Sequence, residues 1–114
     1  MIYACSGGAN VAEVSDRAAR KLMEQSCGTM FCLAGLGAGI EGMVQKAKDA
    51  DMNLVIDGCD MDCARKIFDR AGVENYRQMR VTDLGIEKKK GVRATDEQVE
   101  HAVEAAQDEI GKTT

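Results

Sequence analysis

Four cysteines, Cys5, Cys32, Cys59 and Cys63, fall where segments that read as strands end. A thiolate is a nucleophile, a redox group and a soft metal ligand, so four of them in one place would make a site. In an open parallel sheet the carboxyl ends of the strands meet along one edge, and ligands bind beyond it. Cys5 ends the first strand, Cys32 ends the second and Cys59 follows the third. Cys63 stands four residues after Cys59, a spacing that puts both on one helix face. Tetrahedral zinc takes four sulfurs at about 2.3 Å. Two thiolates about 4 Å apart repel by about 4 kcal/mol at an effective dielectric near 20. A bound Zn²⁺ removes that repulsion and keeps the sulfurs ionised. Helix N-termini aimed at the same edge favour anionic sulfur further. The metal ligands expected are therefore Cys5, Cys32, Cys59 and Cys63. Four thiolates close the coordination sphere, which favours a structural, storage or sensing role over hydrolysis, and no enzymatic reaction is indicated. Cys27 precedes the second strand, about 15 Å from Cys32 along an extended chain, and is expected to stay outside the cluster.

The elements that must bring these residues together are legible as an alternation of strands and helices. Ile2–Cys5, Thr29–Leu33, Asn53–Asp57 and Tyr76–Val81 read as strands, and the third is a near-continuous apolar run suited to burial on both faces. Between them, Val11, Val14, Ala18 and Leu22 recur at helical spacing, with Asn10 as the expected N-cap. Ile40, Met43, Val44 and Ala47 mark a second helix, and Ala64, Ile67, Phe68 and Ala71 a third, closed by Gly72. Thr95 and Gln98 form a capping box for a last helix with Val99, Ala102, Val103, Ala106 and Ile110 inward, and the end from Gly111 is expected to fray. This pattern predicts a single α/β domain over residues 1–114. It is a three-layer α/β/α sandwich, flavodoxin-like in outline, with a four-stranded parallel sheet ordered 2-1-3-4.

Composition limits the partners. The net charge is −4, against the sign a nucleic-acid surface needs, and only four residues are Phe or Tyr, with no Trp for base stacking. No signal peptide or membrane span is evident, so the chain reads as cytoplasmic, where thiols stay reduced and clustered cysteines favour metal binding or catalysis over disulfides. The run Lys88-Lys89-Lys90 reads as a solvated surface stretch, the alternative being a loop that folds over the cluster to offset its charge. His101 lies off the apolar stripe of the last helix and is expected to face solvent. Asp57, Asp60 and Asp62 flank the thiols as caps or hydrogen-bond acceptors around them.

Rival readings rest on the same residues. Cys59 and Cys63 could act as a redox pair, although C-x3-C is not the thioredoxin spacing and leaves Cys5 and Cys32 unused. An iron–sulfur cluster would use the same four thiolates. Gly37, Gly39 and Gly42 fit G-x-G-x-x-G with Asp57 twenty positions after Gly37, the pattern of a nucleotide-binding turn. The loop Cys5-Ser6-Gly7-Gly8-Ala9-Asn10 could cradle a phosphate beside a cysteine nucleophile. The C-x5-R arrangement of small tyrosine phosphatases is absent, since no arginine follows Cys5 at that spacing.

Taken together, Cys5-Ser6-Gly7-Gly8-Ala9-Asn10-Val11, Phe31-Cys32-Leu33-Ala34-Gly35, Asp57-Gly58-Cys59 with Cys63-Ala64, and Thr82-Asp83-Leu84-Gly85-Ile86-Glu87-Lys88 resemble the DGC-domain family. This small family is named for its Asp-Gly-Cys motif, and zinc binding is the property described for it. The resemblance spans nearly the whole chain. It implies that Cys5, Cys32, Cys59 and Cys63 are the family's cysteines and that Cys27 is not one of them.

Overall fold

The computed structural model describes residues 1–112. Three short strands, β1 (Ile2–Ala4), β2 (Asn53–Asp57) and β3 (Tyr76–Arg80), form one parallel sheet in the order β1-β2-β3. Tyr3 pairs with Val55, and Val55 with Gln78, which fixes the register. Five helices pack around it: α1 (Asn10–Glu24), α2 (Leu33–Gly37), α3 (Glu41–Asp49), α4 (Cys63–Ala71) and α5 (Asp96–Gly111). A 3-10 turn at Val81–Leu84 follows β3.

Strand side chains alternate between faces. Ile2, Ala4, Leu54, Ile56 and Met79 join Val11, Val14, Ala18 and Leu22 of α1 and Val99, Ala102, Val103 and Ala106 of α5 in one core. Tyr3 and Val55 face the other way, against Leu36 of α2, Ala47 of α3, and Ala64 and Phe68 of α4. The result is three layers, with α1 and α5 on one side of the sheet and α2, α3 and α4 on the other. Tyr3 and Phe68 meet edge to face at 4.9 Å and join the sheet to α4.

The expected four-stranded sheet is corrected to three strands. The segment 29–33 approaches β1 but makes a single parallel bridge, Met30 to Ile2. Ile2 donates to the Thr29 carbonyl at 2.8 Å and Phe31 to the Ile2 carbonyl at 2.9 Å. The chain then turns into α2 at Leu33. Phe31 and Leu33 leave the sheet to pack in the core around Tyr3 and Phe68, and that packing outcompetes further ladder formation. The glycine-rich stretch read as a loop is therefore partly helix. Gly35 permits it, since a Cβ there would overlap the Met43 side chain of α3.

Elsewhere the caps differ in detail. Ala9, not Asn10, caps α1, and Asn10 is buried. Thr95 and Gln98 make the full capping box of α5. Helix α5 runs through Gly111 with Lys112 as its C-cap, so of the end expected to fray, residues 113 and 114 lie outside the described residues. Among the described residues, no helix is long and apolar enough to cross a membrane.

Candidate thiol site

The Asp-Gly-Cys turn is built by its neighbours. Asp57 closes β2 and is 1 % exposed. Its carboxylate accepts the backbone N–H groups of Ala64 at 2.7 Å and Arg65 at 3.1 Å, and the Gln78 amide at 3.0 Å. It thereby caps α4 from outside the helix and holds Cys63, the first residue of α4, against the sheet edge. Gly58 follows because nothing larger fits: a Cβ would stand 3.0 Å from the Val11 carbonyl carbon and oxygen and 3.1 Å from the Ala12 nitrogen. Its N–H donates to the Cys5 Sγ at 3.1 Å, tying β1 to the turn after β2.

Asp62 precedes α4 in the left-handed region, at φ 53°. An aspartate tolerates this better than most residues. Its buried carboxylate accepts Arg80 Nη2 on both oxygens at 2.8 Å, Arg80 Nε at 2.9 Å and the Gln78 amide at 2.7 Å. The Arg80 contact holds the carboxyl below its ordinary value, and Gln78 and Arg65 add to the effect against the cost of burial. β3 thus clamps the loop that carries Cys59.

The four cysteines line adjoining hollows at one edge of the sheet. One, of about 490 Å³, is bordered by Cys5, Cys59, Cys63, Gly58 and the Gly7–Ala9 stretch ahead of α1. The other, of about 630 Å³, is bordered by Cys5, Cys32 and Cys63 with Met23 and Met30. Cys5 and Cys63 are common to both. Cys32, the N-cap of α2, and Cys63 are exposed, and Cys5 and Cys59 are half-buried. Burial pushes the Cys5 thiol above its ordinary value. The Gly58 N–H and Ser15 oppose that, and the charges of Asp57 and Cys63 reinforce it.

Two expectations about spacing change. Cys59 and Cys63 do not share a helix face, because α4 begins only at Cys63 and Cys59 lies in the preceding turn. Among the described residues, no three His, Cys, Asp or Glu side chains are grouped closely enough to hold a metal ion. Thiolates are zinc donors in kind, but the four cysteines do not stand as a ready-made cage. Cys27 lies apart, half-buried beside Met1, Gly28 and Met52 on a different surface, and its thiol donates to the Gln25 carbonyl at 3.8 Å. His101 is exposed. Gly37 ends α2, Gly39 lies between α2 and α3, and Gly42 stands in α3, so these glycines join two helices rather than a strand and a helix, unlike the turn that holds a nucleotide pyrophosphate.

The lysine run is the residue group that sequence reasoning undervalued. It folds onto the thiol edge. Lys88 Nζ stands 3.5 Å from Cys59 Sγ, and Lys88 and Lys90 both border the first hollow. The loop is stapled down by Asn10, whose amide donates to the Glu87 carbonyl at 2.9 Å and whose oxygen accepts the Lys89 N–H at 2.7 Å. Gly91 donates to the Gly8 carbonyl at 3.0 Å, and Lys90 bridges to Ala9. The only signal in the sequence is an asparagine at a helix start, which reads equally well as a cap.

Comparison with known proteins agrees with the motifs. The DGC domain matches residues 1–106. The chain is 30% identical over 91 residues to the anaerobic and virulence modulator AnvM of Pseudomonas aeruginosa, an alignment that covers 80% of this chain and 70% of that protein. No solved structure matches the chain.

Proposed function

We propose that this chain, which belongs to the DGC-domain family, captures a thiophilic metal ion, zinc ahead of others, through Cys5, Cys32, Cys59 and Cys63. The ion is cargo or signal rather than a structural strut. The observation that carries this reading is that Cys5 and Cys63 border both hollows, so the four thiols line one continuous surface. Two features favour storage or sensing over a structural role. None of the four cysteines is among the fully buried members of either apolar core, and Cys32 and Cys63 are open to solvent, where an exchanging ion can reach them. The resemblance to a relative named as a modulator also favours a sensing role.

A second reading is a thiol redox switch using Cys59 and Cys63. The observation in its favour is the contact of the Lys88 ammonium with the Cys59 sulfur, 3.5 Å, in the turn directly ahead of Cys63.

Competition titration of reduced, chelator-stripped protein under nitrogen separates the two. The metal reading predicts one zinc per chain and a loss of affinity of about a hundredfold for Cys→Ser at each of the four positions. Wild-type affinity in all four variants overturns it. Absent zinc binding together with a reversible Cys59–Cys63 disulfide selects the redox reading.

A further inference from the structure

The second hollow differs from the first in its sulfur chemistry. Its walls hold two thioethers, Met23 and Met30, beside the thiols of Cys5, Cys32 and Cys63. Met23 is 44 % exposed although it is large and apolar. Its sulfur is held in place, accepting the Met30 N–H at 3.4 Å. A third methionine, Met61, is 57 % exposed and borders the first hollow beside Cys59 and Cys63. Leaving such side chains in water forfeits burial that a core position would supply, and at this edge they have a chemical use.

Thioethers are poor ligands for zinc, whose donors are thiolate, imidazole and carboxylate. They are good ligands for monovalent copper, which soft sulfur selects. Copper(I) accepts the mixed thiolate and thioether set that this hollow offers. The second hollow brings α1, the bridge segment and the starts of α2 and α4 to one place, and each contributes a sulfur: Met23, Met30, Cys32 and Cys63.

We propose that this methionine-walled hollow is a copper(I) site, in which Cys32 and Cys63 supply thiolates and Met23 and Met30 supply thioethers. The inference rests on the metal-capture reading above and names a second ion for that edge.

Titration with copper(I) under nitrogen, against a chromophoric copper(I) chelator, tests it, with zinc titrated in parallel. Wild type is expected to withdraw copper(I) from the chelator. Met23→Leu/Met30→Leu is expected to lose about tenfold in copper(I) affinity while its zinc affinity stays at the wild-type value. Leucine keeps the volume, so this variant folds, and circular dichroism verifies that. Cys32→Ser is expected to weaken both ions. Wild-type copper(I) affinity in the double methionine variant, or zinc binding without copper(I) binding, overturns the copper assignment and leaves the zinc reading standing. Failure of both ions to bind reduced protein overturns both.

Discussion

At the scale of single residues, the Asp-Gly-Cys motif divides its labour in a way that the motif alone conceals. The aspartate caps a helix, the glycine makes room for α1, and the cysteine lines the hollow that the glycine also borders. Gly58→Ala is expected to cost about 1–3 kcal/mol in chemical denaturation, because its methyl group meets the α1 backbone, which cannot rotate away. Asp57→Ala strands the Ala64 and Arg65 N–H groups, while the Gln78 amide keeps its bond to Asp62, a loss of about 1–3 kcal/mol in the same experiment. Asp62 has a carboxyl held below its ordinary value, so its contribution is complete above the unfolded-state pKa and is lost as the pH falls through the lower folded one. Metal-free wild type is therefore expected to lose stability below the ordinary carboxylate range more steeply than Asp62→Asn, by denaturation midpoints measured across pH. Parallel pH profiles would contradict this. The places of Cys5 and Cys59 just after β1 and β2 are legible because apolar runs mark strand ends, whereas Cys32 caps α2 instead of ending a strand. Asp62 reads as a cap or hydrogen-bond acceptor, but its partner is not legible, because Arg80 lies eighteen residues away on another strand and nothing local announces the pairing.

At the scale of elements, what the pattern revealed depended on length. The helices α1, α4 and α5 each carry an apolar stripe long enough to read, and the capping box of α5 stands as written. Helix α2 has five residues and two glycines, too few for a period to emerge, so its place was read as the end of a strand and a loop. The loop that carries the lysines is held by pairings between residues about eighty positions apart, which no periodicity encodes. Asn10 is the residue that holds it. Asn10→Ala is expected to cost about 1 kcal/mol and to speed hydrogen exchange at Lys89 and Gly91. Exchange that is unchanged at those amides would show that backbone pairing with Gly8, Ala9 and the Asn10 N–H holds the loop without the side chain.

At the scale of the whole molecule, the two cores on either face of the sheet are built of apolar side chains, with none of the four cysteines among their fully buried members. Chelator-stripped, reduced protein is accordingly expected to unfold in one cooperative transition, and its melting temperature is expected to rise on adding zinc. The gain follows mass action, about 2.7 kcal/mol at a free ion concentration a hundredfold above Kd. A chain that is unfolded until zinc is added would instead make the metal structural. The parallel pairing and the layers follow from the alternation of strands and helices. The gathering of thiols at one edge follows from the same winding, because parallel strands end on the same side. The spacing of the sulfurs does not, since it is set by turns and by side-chain packing against Phe31 and Leu33.

X-ray absorption at the zinc edge, on reduced protein loaded with one equivalent, tests the shared thiol site most directly. The account predicts a first shell of sulfur alone at about 2.3 Å, diminished when Cys5, Cys32, Cys59 or Cys63 is changed to serine. A shell of nitrogen and oxygen, or a sulfur shell that survives all four substitutions, would contradict it.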